Sequence, residues 1–237
     1  MTRVLVPLAV LEGASVAPGL IDLLGTTDVT VLGYHVLPEQ TAPDQARFQY
    51  EDRANEALED VTEEFAAAGG AADHRLVFTH DREQSIDRVA DEVGADAVGI
   101  VGATGPVDRL LVPVTGDVAV DRVVAFVAEL IGDRDIGVTL FLATDGEDAD
   151  AAGSAALDGA AASLRESGID VETERATGAP FESLVAAAAG HDAIVMGEQA
   201  PSLRSLLFGE ETDRIATETV GPVLVVQRDG AAESPAE

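Results

Sequence analysis

The sequence of 237 residues contains no cysteine. Without thiols, the chain has no disulfide framework, no thiolate zinc site and no cysteine nucleophile. It also lacks any run of about 18 apolar residues, the length that a membrane-spanning helix requires. Residues 3–8 already form an apolar, strand-like segment, without the apolar stretch and small-residue cleavage site of a signal peptide before it. We therefore expect a cytoplasmic protein.

Lysine is the second absence. All 14 basic residues are arginine, against 44 acidic residues, so the formal net charge is -30. Six arginines and 19 acidic residues give residues 1–106 a net charge of -13, and eight and 22 give residues 107–228 a net charge of -14. Nucleic acids and anionic membranes are bound through clustered Lys and Arg. We therefore expect no nucleic-acid partner and no direct membrane insertion.

The even distribution of negative charge over the chain suggests an adaptation to a solvent of high salt concentration. At molar salt the Debye length falls to about 3 Å, and the self-repulsion of an acidic surface becomes tolerable. The composition resembles that of cytoplasmic proteins from salt-accumulating halophilic archaea. An ordinary acidic protein of a mesophile is the alternative. Hydrophobic residues make up 46% of the chain, which is enough for a folded core.

Three segments of the first half recur, in the same order, in the second half, which indicates a duplicated unit. The matching pairs are residues 3–9 (RVLVPLA) and 109–115 (RLLVPVT), 29–32 (VTVL) and 138–141 (VTLF), and 96–102 (DAVGIVG) and 192–197 (DAIVMG). We divide the chain into a truncated unit, residues 1–106, a complete unit, residues 107–228, and an acidic tail, residues 229–237, that we expect to be disordered.

Short apolar runs alternate with helical patterns in each unit, which predicts an α/β fold with an open parallel sheet covered on both faces. The predicted strands lie near residues 3–8, 29–36, 74–79, 97–102, 109–115, 136–143, 170–176, 193–197 and 222–228. The predicted helices lie near residues 14–24, 44–68, 83–93, 118–131, 148–167, 180–189 and 210–219. The first unit lacks the last helix and strand, so it is truncated to four strands.

The pattern resembles a tandem universal stress protein. The resemblance covers about residues 1–228 and rests on residues 111–114 (LVPV), the long second helix, and residues 194–197 (IVMG), 206–209 (LLFG) and 221–226 (GPVLVV). It implies the Rossmann-like, adenine-nucleotide-binding α/β fold of that family, which has five strands in a single unit.

The family also implies a site. In nucleotide-binding members, an acidic residue after the Val-Pro-Val segment reads the adenosine, and a Gly-x2-Gly-x9-Gly-Ser/Thr loop wraps the phosphates with backbone N–H groups and a helix N-terminus. Transferred to the second unit, these positions give a degenerate site. Its residues are Pro113, Val114, Thr115, Gly197, Ser202, Arg204, Gly209 and Glu210.

The loop departs from the family pattern where the phosphate belongs. Ala200 replaces the second glycine, and Glu210 and Glu211 occupy the hydroxyl position and its neighbour. At an effective dielectric constant of about 20, two like charges 4 Å apart repel by about 4 kcal/mol, which costs roughly a thousandfold in affinity. One alternative is that the two glutamates only interact favourably with the positive end of the helix dipole. The other is that they bind Mg²⁺, which in turn binds a phosphate. Ser202 and Arg204 keep that second alternative open.

The adenosine position departs as well. Thr115 replaces the acidic residue in the second unit, with Asp117 two positions later, and Ala9 replaces it in the first unit. The first unit also lacks the phosphate loop. We therefore expect no cofactor, or weak binding of ATP or AMP confined to the second unit.

Two other groups of residues allow a metal hypothesis. The histidines suggest metal or acid–base chemistry, but their spacing matches no zinc pattern, so we interpret them as strand-end or surface residues. The acidic residues of segment 145–150 (DGEDAD) suggest a calcium-binding loop, but the glycine is not at the position that such a loop requires. We therefore interpret this segment as the start of a helix. The histidines are His35, His74, His80 and His191.

No Gly-x-Ser-x-Gly elbow, Walker loop or nucleophile–base set is present. The leading hypothesis is a non-enzymatic regulatory or adaptor protein acting through protein contacts, as a homodimer or an internal pseudo-dimer. Residues 223–226 are predicted to lie at a sheet edge, where they could pair with a second chain. By family resemblance, a membrane transporter or another stress protein is a partner. The alternatives are an adenine-nucleotide sensor that uses loop 198–209, and a nucleotidyl transferase or hydrolase.

Overall fold

The computed structural model describes residues 2–114, 120–144, 151–198 and 221–227, without the side chains of residues 180 and 181. The strands are β1 Arg3–Leu8, β2 Asp28–Val36, β3 Ala72–Thr79, β4 Ala97–Ile100, β5 Arg109–Pro113, β6 Gly137–Thr144, β7 Val171–Thr177, β8 Ala193–Gly197 and β9 Val223–Val226. The α-helices are α1 Pro18–Leu24, α2 Pro43–Ala68, α3 Arg82–Val93, α4 Val120–Ile131, α5 Ala151–Glu166 and α6 Pro180–Ala188.

These strands form one open sheet in the order β3-β2-β1-β4-β9-β8-β5-β6-β7. Seven neighbouring pairs are parallel, and the pair of β4 and β9 is antiparallel. The predicted α/β fold with an open, mostly parallel sheet is confirmed. The strands that the repeats assign to two units lie in one continuous sheet.

The prediction that residues 223–226 lie at a sheet edge is wrong. β9 is the middle strand of the nine, parallel to β8 on one side and antiparallel to β4 on the other. All four of its residues are buried. Without β9, one side of β4 would have no strand partner in the described sheet. The strand expected to meet a second chain instead meets the first half of its own chain.

The helices cover both faces of the sheet, as the contacts of β1 illustrate. Val4 and Val6 belong to a core cluster that includes Leu20 of α1 and Leu58 of α2. Leu5, which points to the opposite face, packs with Ile86 of α3. Helices α4 and α5 join the first cluster, and α6 covers β5 and β8 on the opposite face. Burial on both faces explains why the strands read as continuous apolar runs.

The long helix predicted near residues 44–68 is confirmed as α2, Pro43–Ala68. Ala54, Leu58 and Phe65 are buried, and Val61 packs against them at the margin of the core. The helix ends at Gly69, which has a φ of 116°, a left-handed conformation that favours glycine. A narrow apolar stripe therefore suffices to hold a helix of 26 residues on the sheet.

Element ends differ from the sequence predictions by a few residues. α1 begins at Pro18 instead of residue 14 because a short 3₁₀ turn, Val10–Glu12, comes first, and proline favours the first helical position. β4 ends at Ile100, two residues early. The predicted helix near residues 210–219 and the tail, residues 229–237, lie outside the described residues. Among the helices that the structure describes, none has the length and apolarity to cross a membrane.

Candidate ligand-binding edge

Three of the predicted site residues lie at one edge of the sheet. Pro113 ends β5 and Gly197 ends the adjacent parallel strand β8, so both reach the carboxyl edge, where open α/β sheets bind ligands. Val114 follows β5, is buried, and donates its N–H to the Phe141 carbonyl at 2.7 Å. The other five residues lie outside the described part of the chain. They are Thr115, Ser202, Arg204, Gly209 and Glu210.

Gly197 and Glu198 are held by backbone contacts with the end of β9. Gly197 is buried as the last residue of β8 and pairs with Val226. The next residue, Glu198, donates its N–H to the Val226 carbonyl at 2.9 Å. Glu198 therefore lies beside the end of β9, at the carboxyl edge of the sheet.

The first half of the chain contributes to the same edge, because β4 runs antiparallel to β9 and begins where β9 ends. The Asp96 carboxylate accepts the N–H of Arg3 at 2.9 Å. Its other oxygen lies 3.5 Å from the guanidinium of Arg122, in the first turn of α4. The Asp96 carbonyl accepts the N–H of Gln227 at 2.8 Å. The repeat pattern did not reveal this cross-half ion pair, because its two residues belong to different predicted units.

A cavity of about 210 Å³ adjoins this ion pair and is lined by Asp96, Arg122, Phe126 and Glu129, among others. Glu129 accepts the N–H of Thr2 at 3.0 Å. Hydrogen bonding to Thr2 lowers the pKa of Glu129 below its ordinary value, although desolvation works against this. The lining thus carries one guanidinium and two carboxylates, which gives an incoming phosphate no excess of positive charge.

A matching arrangement holds the start of β5. The Asp192 carboxylate, just before β8, accepts the N–H groups of Asp108 and Arg109 at 3.0 and 2.9 Å. The Asp192 N–H in turn donates to the Arg109 carbonyl at 3.0 Å, and Asp96 and Arg3 make the same bond at 2.8 Å. The repeated Arg and Asp of the sequence therefore have equal structural tasks in the two halves.

The linker between β4 and β5 covers the carboxyl edge of the first half. A Cβ on Gly19, at the start of α1, would lie only 1.7 Å from the Gly105 carbonyl oxygen, so the linker backbone rests directly on the helix. Thr104 donates its hydroxyl to the Asp192 carbonyl at 3.2 Å. This contact leaves no room for a ligand between α1 and the linker.

The histidines lie in separate places. Nδ1 of His80 lies 3.2 Å from the Leu37 carbonyl, and Nδ1 of His191 lies 2.8 Å from the Ala187 carbonyl. His74 lies near the Thr62 hydroxyl, and His35 packs edge-on against Tyr50. Within the described ranges, no group of three or more His, Asp or Glu residues has an arrangement that could hold a metal ion. The predicted calcium alternative, residues 145–150, lies outside those ranges.

A family model gives the decisive comparison: the universal stress protein family matches residues 106–227, just over half of the chain. The chain belongs to the universal stress protein family. A universal stress protein from Archaeoglobus fulgidus DSM 4304 is 18% identical, with a TM-score of 0.64 over 95% of this chain and 98% of that one. A protein of unknown function from Pseudomonas aeruginosa PAO1 is 12% identical, with a TM-score of 0.51 over 97% and 93%. At these identities the likeness concerns the fold. No curated protein matches the chain in sequence.

Proposed function

We propose that this universal stress protein is a non-enzymatic regulatory or adaptor protein that acts through protein contacts. The observation that carries the proposal is the charge at the candidate edge. Pro113, Val114 and Gly197 lie at the carboxyl edge of the sheet, where the family resemblance implies a nucleotide site. The charged side chains that line the adjoining cavity are the ion pair of Arg122 with Asp96 and the carboxylate of Glu129.

Two acidic residues outside the described ranges add to this charge in the sequence. Glu210 and Glu211 stand where family members that bind nucleotides place a small hydroxyl residue before the phosphate-binding helix. A carboxylate there competes with phosphate for the same backbone N–H groups and repels it. Acidic residues at the position that the resemblance assigns to phosphate fit a scaffold that has lost its ligand and kept its surfaces.

The proposal includes a tandem organisation. The strand order β3-β2-β1-β4 in residues 1–106 is repeated as β7-β6-β5-β8 in residues 107–228, and Asp96 and Asp192 make equivalent bonds. On this view β9 serves both copies, and the chain is an internal pseudo-dimer. We place it in the cytoplasm of a salt-accumulating archaeon, with a membrane transporter or another stress protein as its partner.

Calorimetry with ATP, ADP and AMP, with and without Mg²⁺, tests the proposal in roughly 2 M KCl, where surface charge is screened. We expect no binding tighter than about 1 mM, an affinity worth only about 4 kcal/mol. Submillimolar binding would overturn the adaptor-only proposal in favour of a nucleotide sensor, the alternative supported by the retained positions of Pro113, Val114 and Gly197. Turnover of nucleotide that depends on the second half would instead establish an enzyme.

A further inference from the structure

A row of three aspartates lies at the amino edge of β5, β6 and β7, which are neighbours in the sheet. Asp108 comes directly before β5, Asp135 two residues before β6, and Asp170 directly before β7. Neighbouring strands are about 4.8 Å apart, so the two outer members of this aspartate row are separated by about 10 Å, with the start of β6 between them. All three residues are exposed, and they line a cavity of about 370 Å³. The row therefore presents three carboxylates to one cavity.

The backbone at this edge is the same in the two halves of the chain, but the side chains differ. The carbonyls of Asp108 and Asp170 accept the N–H groups of the first two residues of β6, both at 2.9 Å. The carbonyls of Thr2 and Ala71 accept the N–H groups of the first two residues of β2 in the same way, at 2.9 and 2.8 Å. The fold therefore needs no carboxylate at either position, and the outer members of the aspartate row are a feature of the second half alone.

The charges around the cavity leave an excess of carboxylates. The Arg109 guanidinium lies 3.7 Å from the Glu172 carboxylate, so these two charges compensate each other. None of the ion pairs between described residues includes a member of the aspartate row. Three negative charges therefore remain at the cavity, and their combined field favours a positively charged ligand.

The same cavity has a buried hydroxyl group in its lining. Thr139, the third residue of β6, lines the cavity and is only 5% exposed. It lies opposite Glu172 of β7, so the two side chains are on the same face of the sheet. The Thr139 hydroxyl has no hydrogen-bond partner in the described part of the chain. Buried polar groups are normally paired, and a hydroxyl and a carboxylate both accept hydrogen bonds, so a ligand that donates hydrogen bonds matches this lining.

A single metal ion does not match this arrangement. Calcium and magnesium need their ligand oxygens within about 2.6 Å of one centre, and no group of three or more His, Asp or Glu among the described residues could hold a metal. A molecule with two ammonium groups joined by a short methylene chain can reach both ends of the row and donate hydrogen bonds at each. Gly137 stands where the first half has Asp28, so no side chain fills the middle of the row. We propose that the cavity beside the aspartate row is a binding site for an aliphatic diamine.

Calorimetric titration of the native protein with 1,4-diaminobutane tests the proposal in roughly 2 M KCl. At that salt concentration the Debye length is below about 3 Å, so the general attraction of a cation to a chain with a net charge of -30 is screened, whereas contacts at hydrogen-bond distance persist. We expect saturable binding of one diamine per chain. Butylamine, which has a single ammonium group, should bind at least about tenfold more weakly, because it makes charge-assisted hydrogen bonds at one end only.

A pair of matched variants locates the site. Asp108→Thr with Asp170→Ala gives the second half the residues that the first half has at the same backbone positions, and it should weaken diamine binding at least about tenfold. Glu56→Gln with Glu63→Gln is the control, since it removes two negative charges from exposed positions of α2. This control should bind the diamine as the native protein does.

Thr139→Val tests the hydroxyl. We expect diamine binding to weaken by about threefold and the melting temperature not to fall, because a buried hydroxyl without a partner does not stabilise the fold. The proposal would be overturned by a lack of saturable binding in 2 M KCl, by equal affinity for the diamine and butylamine, or by an equal loss of affinity in the aspartate-row variant and the α2 control. Native affinity in Thr139→Val would overturn the part assigned to the hydroxyl.

Discussion

At the scale of single residues, Arg134 joins the ends of two helices from different halves of the chain, α1 and α4. Its guanidinium donates to the carbonyls of Asp22 and Leu23, at the end of α1, at 2.8 and 2.9 Å. It also donates to the carbonyls of Leu130 and Ile131 at the end of α4. Burial lowers the pKa of Arg134 from its ordinary value, with Asp22 opposing the shift. One cation therefore satisfies the carboxyl ends of two helices, where positive charge is favourable.

Replacing this guanidinium should destabilise the protein. For Arg134→Gln we expect a loss of about 1–3 kcal/mol in the free energy of unfolding, because partly buried carbonyls at two helix ends lose charged donors, and a fall of roughly 3–10 °C in melting temperature. Arg134→Lys is the matched control and should lose less, since it keeps the charge but not the planar fork. Thermal unfolding by circular dichroism measures both. Equal stability of all three proteins would show that these hydrogen bonds do not stabilise the fold.

Glu129 should make stability depend on acid. Its pKa is lowered in the folded state, chiefly by hydrogen bonding to Thr2. A depressed carboxyl pKa stabilises the fold above the unfolded-state pKa, and this contribution disappears as the pH falls through the folded-state pKa. Native protein should therefore melt above Glu129→Gln at pH 7, and the difference should shrink toward zero as the pH falls below the ordinary glutamate pKa of about 4.3. A difference that stays constant across the titration would contradict this assignment.

At the scale of elements, the sequence predicts strands and helices well because each has a local signal. The apolar runs mark strands buried on both faces, and the stripe through Leu58 and Phe65 marks the long helix α2. The position of β9 carries no such signal, since its four apolar residues would suit an edge or a centre equally. It follows from a non-local fact, namely that β4 has an open side that needs a partner.

The candidate site divides in the same way. A family motif identifies Pro113, Val114 and Gly197, and the structure brings these residues to one edge. The ion pair of Asp96 and Arg122 has no sequence signal, because it forms only when β9 brings the start of β4 beside the end of β8. The positions of Thr115, Ser202, Arg204, Gly209 and Glu210 stay predictions.

At the scale of the whole molecule, the net charge of -30 is spread almost equally over both halves of the chain. We expect the melting temperature to rise steeply between low salt and about 2 M KCl, because salt at that concentration screens charges beyond a few ångströms. Replacing exposed acids on α2, as in Glu56→Lys with Glu63→Lys, should raise the melting temperature at low salt and flatten the salt dependence. A melting temperature of the native protein that does not change with KCl concentration would refute the halophilic interpretation.

The central proposal is that the chain keeps the position of a nucleotide site at the carboxyl edge of the sheet, while acidic residues at that position exclude the phosphate. The most direct measurement compares calorimetric titrations of ATP into the native protein and into Glu210→Ser with Glu211→Ala, in roughly 2 M KCl with Mg²⁺. We expect no binding tighter than about 1 mM by the native protein and a gain of up to about a thousandfold in the variant, the equivalent of about 4 kcal/mol. Submillimolar binding by the native protein, unchanged in the variant, would contradict the claim.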